Sequence, residues 1–291
     1  MLFKNSFKSY IIYDSNEREN EMDKADRKTR IAIAASILQN NPGKSHSLNL
    51  FCEMFGAAKS TMSEDITMLR GMLQRYDLGD IEVALGAGGG VKFIPSFSQE
   101  KKMSILSGIS EILSQPSRIL PGGYIYTVDV FSNPAHVHNM ASIFCSMFAK
   151  THPDFIATVE TKGIPLALGV ARAMNKPLVI ARRDAKITEG SVVTINYLTG
   201  SSRHMNTMSI SKRAVKAGQK ALIIDDFISG GGTIHAMFEL MKEFSITVVG
   251  CGVAIAMKEP QKKKVVNYRS LLTLEEVDIE NEKIIIHPVK N

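Results

Sequence analysis

The sequence predicts an α/β protein in two parts: a small N-terminal unit of helices closed by a hairpin, then a larger domain on a mostly parallel sheet. Three observations predict it. Beyond residue 123, apolar β-branched runs alternate with helical spacing: YIYTVDV then 137–150, FIATVE then 166–174, LVIAR, VVTINY, ALIIDD then 233–243, and ITVVGCGVAIA. Strands apolar on both faces and separated by helices pair in parallel, with helices covering the sheet. Residues 45–76 hold two helical segments around FGAAKST. The alternating stretch IEVALGAGGGVKFIP at 81–95 has a glycine turn and a second strand with no helix after it, so it is a hairpin rather than a phosphate loop.

Composition bounds the rest. With 291 residues, 44% of them hydrophobic, the chain can bury one large core or two unequal ones. Cys52, Cys145 and Cys251 are few and far apart, which argues against a disulfide framework, and the seven histidines do not cluster at ligand spacing, so no metal site is expected. No apolar run approaches the roughly 20 residues of a membrane span. Lys8 and Asp14 interrupt the N-terminus before a signal-peptide core could form, and the expected location is cytoplasmic. The net charge is +6, unevenly spread: residues 172–220 carry ten Lys/Arg against two acids, whereas 24–97 carry nine against seven. A run so lopsided suits phosphates.

Taken in order, residues 1–23 are polar and without period, as in a mobile tail. Residues 24–97 form the first domain. Leu48, Phe51 and Cys52 or Phe55 share a face on one helix, and Met62, Ile66, Leu69 and Leu73 share one on the next. Thr61 with Glu64 fits a capping box opening that second helix. Lys59, Ser60, Thr61 and Ser63 are then its exposed first residues, where a recognition helix meets phosphates and base edges, and Lys92 lies near the tip of the following wing. Glu64 and Asp65 on the same helix either accept from cytosine or cap it. With only +2 of charge, a packing or dimerisation module stays open as the alternative to a DNA reader.

The linker PSFSQ at 95–99, a helical stretch (KKMSILSGISEIL) and a PGG turn at 121–123 lead into the second domain, 98–291. Its most informative segment is ALIIDDFISGGGTIHAM, 221–237. Ala221–Ile224 read as a central strand and Thr233 opens a helix, so DDFISGGG is the loop at the strand's carboxyl end, where open α/β sheets bind ligands. Backbone amides of Ser229, Gly230, Gly231, Gly232 and Thr233, with the helix dipole and the Thr233 hydroxyl, make a phosphate cradle. Asp225 and Asp226 suit a ribose diol or a bridging Mg²⁺ beside that phosphate. Phosphate plus diol points to a ribose 5-phosphate group.

This segment resembles the signature of type I phosphoribosyltransferases, whose loop binds phosphoribosyl pyrophosphate (PRPP). TVETKGIPLALGVA at 158–171 resembles their pyrophosphate loop, which places Thr161, Lys162 and Gly163 at the pyrophosphate, and Arg182 and Arg183 stand like the basic residue ending the next strand. Residues 188–213 fall where such folds carry a flexible hairpin over the ligand. Together with the helix-turn-helix and wing, the motifs AKSTMSEDIT, AGGGVKFIP, RILPGGYIYTVD, TKGIPLA, TEGSVVTINYLTGSS and LIIDDF with GGT resemble the purine operon repressor family of Gram-positive bacteria. The resemblance implies a homodimer bound to double-stranded promoter DNA upstream of purine genes, with PRPP, accompanied by Mg²⁺, as the effector that releases DNA, and a sensor domain without catalysis. VDVFSNP at 128–134, GIPLA, TEG and IIDDF also resemble xanthine phosphoribosyltransferases, so an active purine (xanthine-like) transferase with an appended N-terminal domain is the alternative. There Phe131 and Asn133 would cover a base, although an ordinary strand-end loop is the simpler reading.

Overall fold

The computed structural model describes residues 25–84, 90–184, 188, 190–198, 205–261, 263–265 and 267–290. The tail at 1–23, the tip of the first hairpin and Lys262 therefore lie outside the described residues.

The N-terminal unit is three helices and a hairpin. Helix α1 (Arg27–Asn40) is capped by Asp26, whose carboxylate accepts from the Thr29 amide at 2.7 Å. Helix α2 (Leu48–Phe55) is capped by Ser47 and stopped by Gly56 in the left-handed region, φ 58°. Helix α3 (Lys59–Arg75) follows at once, and strands β1 (Asp80–Ala84) and β2 (Gly90–Ile94) pair antiparallel behind it. Phe51, Phe55, Met62, Ile66, Leu69, Leu73, Ile81, Val91 and Phe93 close one apolar core. The two helical faces expected from the spacing are the two faces buried.

The capping box is a correction. Helix α3 opens two residues before Thr61, with Ala58 at the cap and no side-chain cap bond. The Glu64 carboxylate is taken by the Arg27 guanidinium at 2.9 Å, a charge-assisted bond stronger than the reach back to a backbone amide.

Helix α4 (Gln99–Leu113) links the halves; its cap residue Ser98 donates its amide to Asp77 at 2.6 Å, which ties the linker to the first domain. The stretch YIYTVDV is not one strand. Strands β3 (Ile119–Leu120) and β4 (Tyr124–Ile125) are a minimal antiparallel pair, and helix α5 (Val128–Ser132) begins within it. Arg118 enforces the turn by donating to the Tyr126 carbonyl at 2.9 Å and to both oxygens of Asp129 at 2.8 and 2.7 Å. Helix α6 (Pro134–Met147) is capped by Asn133, and Phe131 is buried in the core, so both residues are occupied by capping and packing.

Then come β5 (Phe155–Val159), α7 (Ile164–Met174), β6 (Leu178–Ala181), the hairpin β7 (Val192–Leu198) and β8 (Met205–Ser211), β9 (Lys220–Ile228), α8 (Gly232–Glu243), β10 (Thr247–Met257), β11 (Arg269–Asp278) and β12 (Lys283–Pro288). The six-stranded sheet runs β12-β11-β10-β9-β5-β6, parallel except for the antiparallel edge strand β12. One apolar cluster packs α4, α6 and α7 on one face and another packs α8 and the β7–β8 hairpin on the other. VVTINY sits outside this sheet, in the hairpin. Strands β11 and β12 have no counterpart in the alternation read from sequence: LLTLEEVD sets three acids among its apolar residues, and KIIIHP is a short run at the sheet's edge with no helix between the two.

Candidate functional site

The strand order reverses between β5 and β9: β6 lies beyond β5 on one side, and β10 beyond β9 on the other. A parallel sheet leaves a crevice at such a switch point, outside the carboxyl ends of the strands. Pairing shows how it opens. β9 pairs with β5 only from Phe155↔Ala221 to Ala157↔Ile223, yet stays with β10 as far as Ala256↔Ile228. Asp225 and Asp226 therefore lie inside strand β9, not in a loop after Ile224, and the ladder with β10 holds them while the β5 side is open.

From β5 the chain passes Glu160, Thr161, Lys162 and Gly163 into α7. Gly163 touches the carboxylate of β9 directly: a methyl group on it would lie 2.2 Å from Asp225 Oδ1 and 2.7 Å from Thr158 Oγ1. Thr158 was not singled out from the sequence, where it is one β-branched residue of a buried strand. Its hydroxyl is buried without a hydrogen-bond partner. Glu160 was also missed. It accepts from the Arg183 amide at 2.6 Å and from the Arg182 guanidinium at 3.4 Å, which brings the end of β6 to the same crevice. A carboxylate closing FIATVE was the available signal, indistinguishable there from a solvated acid.

Asp225 is buried, and burial together with the neighbouring Asp226 carboxylate pushes its pKa well above the usual range. Burial also raises Asp226. The charges of Arg183 on Asp225 and of Lys162 on Asp226 act in the opposite direction. Two acids held so close to each other in a dry place bind protons or cations more readily than isolated ones.

Ser229, Gly230, Gly231, Gly232 and Thr233 run from the end of β9 into α8, with Gly231 at its cap in the left-handed region, φ 78°. The Gly230 carbonyl accepts from the Lys264 amide at 3.0 Å, so a segment far along the chain seats the glycine loop. Nearby, the described lysines of the run at 262–264 are engaged with the backbone. Lys263 Nζ turns back to the Pro260 carbonyl at 2.9 Å, and Lys264 Nζ faces the Leu198 carbonyl at 3.5 Å.

In the first domain, Lys59, Ser60 and Ser63 are exposed on the opening turns of α3, and Thr61 is half-buried. Asp65 does not face outward. It is buried and bound by Arg30 at 2.7 Å and Arg27 at 2.9 Å, so both acids of α3 serve the α1–α3 contact. Arg27 lines a cleft with Ser60, Ser63, Glu64, Thr67 and Met68, where its charge is matched by Glu64 and Asp65, a neighbour spacing alone does not show. Lys92 sits on β2 opposite Glu82 and pairs with it at 3.0 Å, below the hairpin tip. Among the described residues no helix is long and apolar enough to cross a membrane.

The family model described as the N-terminal domain of the bacterial purine repressor matches residues 26–95, and that of the phosphoribosyl transferase domain matches residues 129–287. The pairing defines a class: a transcriptional regulator whose second domain has an enzyme fold. A probable purine biosynthesis transcriptional regulator of Streptococcus pneumoniae is 42% identical over 89% of this chain and 94% of its own length, and the purine biosynthesis transcriptional repressor of Bacillus subtilis is 40% identical over 89% and 90%. The chain belongs to this purine operon regulator family. A relative from Lactococcus lactis, 36% identical over 89% and 95%, is named an activator. A xanthine phosphoribosyltransferase of Limosilactobacillus reuteri is 30% identical over 50% of this chain and 79% of its own. In fold, the crystal structure of adenine phosphoribosyltransferase from Rhodothermus marinus matches 59% of this chain and 99% of that one, with TM-score 0.51 at 20% identity.

Proposed function

We propose that this protein is a homodimeric repressor that binds promoter DNA of purine genes through α3 and the wing, and lets go when PRPP with Mg²⁺ occupies the crevice between β5 and β9. The supporting observation is convergence: Thr161–Gly163, Arg183, Asp225, Asp226 and the 229–233 loop come from three strand ends and meet at one switch point. The residues suit the ligand. The 229–233 amides and the α8 dipole favour the 5-phosphate, and the two carboxylates accept from the ribose diol. Lys162, Arg183 and the Thr161 hydroxyl face the pyrophosphate. Mg²⁺ would supply positive charge beside carboxyls that burial has made reluctant to ionise.

The domain acts as a sensor without turnover. To swing operator occupancy from about 99:1 to 1:99, PRPP must favour the released state by roughly 5.5 kcal/mol. One lost surface ion pair supplies less than about 1 kcal/mol, so the ligand must reorganise an element. The test is calorimetric titration of PRPP with Mg²⁺, paired with pyrophosphate release on adding adenine, guanine, hypoxanthine or xanthine in turn. Binding without release supports the sensor. Release with any base replaces it by a xanthine-like transferase, and no binding removes the crevice assignment.

A further inference from the structure

The same helix that starts at the candidate pyrophosphate loop ends against the DNA-binding domain. Helix α7 leaves Gly163 and closes at Asn175, which takes a left-handed cap, φ 52°. Eleven residues span about 16 Å. At the far end, Gly43 of the loop between α1 and α2 lies directly on the helix terminus: a methyl group there would stand 2.6 Å from the Met174 carbonyl carbon, 2.8 Å from its oxygen and 2.9 Å from the Asn175 nitrogen. Gly43 is itself held to the wing, because its amide donates to the Phe93 carbonyl of β2 at 2.9 Å. Three residues on, His46 exchanges backbone hydrogen bonds with Val91 at 2.9 and 2.8 Å. Loop 43–46 is thus a third strand-like edge of the wing, with α7 pressed on its root.

Around this contact the packing leaves room on one side and is close on the other. A cleft of about 470 Å³ lies between Asn40, Asn41 and Pro42 and the Leu168, Arg172 and Asn175 side of α7. Against α6, the helix presents Gly169, where a methyl group would meet the Val137 and Ala141 side chains at 3.0 Å, so α6 is packed directly onto the α7 backbone there. Helix shifts of about 1–2 Å are a common allosteric step, and close-packed contacts pass them on.

We propose that α7 is the coupling element: an anionic ligand at Thr161–Gly163 displaces α7 along its length, and Met174–Asn175 carries that displacement through Gly43 into the wing. This rests on the PRPP reading and specifies its regulation. Ligand and operator then oppose each other because each prefers a different position of one helix, as linkage requires.

The experiment uses the full chain with PRPP, Mg²⁺ and operator DNA. Gly43→Ala wedges the contact far from the crevice, so PRPP should bind within about twofold of the parent. The ratio of operator dissociation constants with and without PRPP should fall to within about threefold of one. A parental ratio in Gly43→Ala overturns the proposal. Should the variant not fold, amide hydrogen exchange of the parent decides: PRPP without DNA must change protection at 41–46 and 90–94, and unchanged protection there rejects the link. PRPP that binds and releases DNA with no change at these amides defeats only the link, whereas PRPP that does not bind defeats the crevice reading and the link with it.

Discussion

Gly163 and Asp225, sixty-two positions apart in the chain, touch so closely that a single methyl group on the glycine would come within 2.2 Å of the aspartate Oδ1. The glycine needs no unusual backbone angle; its φ is −70°. What it supplies is the absence of a side chain where the loop after β5 crosses the carboxylate of β9.

Gly163→Ala should therefore fold but push Asp225 and Thr158 out of place. PRPP affinity should fall by more than about tenfold while the thermal midpoint changes by only a few degrees. Calorimetric titration beside a melting curve checks this, and full affinity in the alanine variant would show that the crevice is not the ligand site.

Asp225→Asn should stabilise the ligand-free protein, in a pH-dependent way. The native carboxyl holds its proton well above the ordinary value of 3.8 because it is buried beside Asp226. Its contribution to stability is thus full below the unfolded pKa and is lost as pH rises through the native one. Asparagine does not titrate. The midpoint of the variant should match the parent near pH 4 and exceed it by about 2–4 °C at pH 8; a constant offset across that range would contradict the electrostatic account.

Asp65→Ala should loosen the first domain. Burial would raise this carboxyl, but the Arg30 and Arg27 guanidiniums outweigh burial and hold it below 3.8. Removing it strands Arg30, which is itself mostly covered. A loss of about 2–3 kcal/mol is expected in denaturant titration of the helical signal, falling away in acid as the parent's own carboxylate protonates below 3.8.

Lys59→Ala tests the DNA face. The exposed lysine at the start of α3 should lower operator affinity and reduce the slope of log affinity against log salt by about one unit. An unchanged slope would show that it touches no phosphate. Lys92→Ala should have the smaller effect, since Glu82 already neutralises it.

Periodicity and glycine punctuation alone determined the two-part organisation, the buried faces of α2 and α3, and the parallel strands β5, β6, β9 and β10, because apolar spacing reports which side of an element leaves water. DDFISGGGT and TKG stood out as candidate ligand segments for a similar reason: few other uses need carboxylates or a lysine beside glycines near a strand's end. Pairings across the chain were not legible. That Asp65 belongs to Arg27 and Arg30, that Glu160 gathers Arg182 and Arg183, that Gly163 rests on Asp225 and that Gly43 lies on the end of α7 are decided by the tertiary fold. A local pattern encodes how one element meets water. Which distant group fills the space beside it depends on strand order and helix packing, and those exist only once the chain has closed on itself.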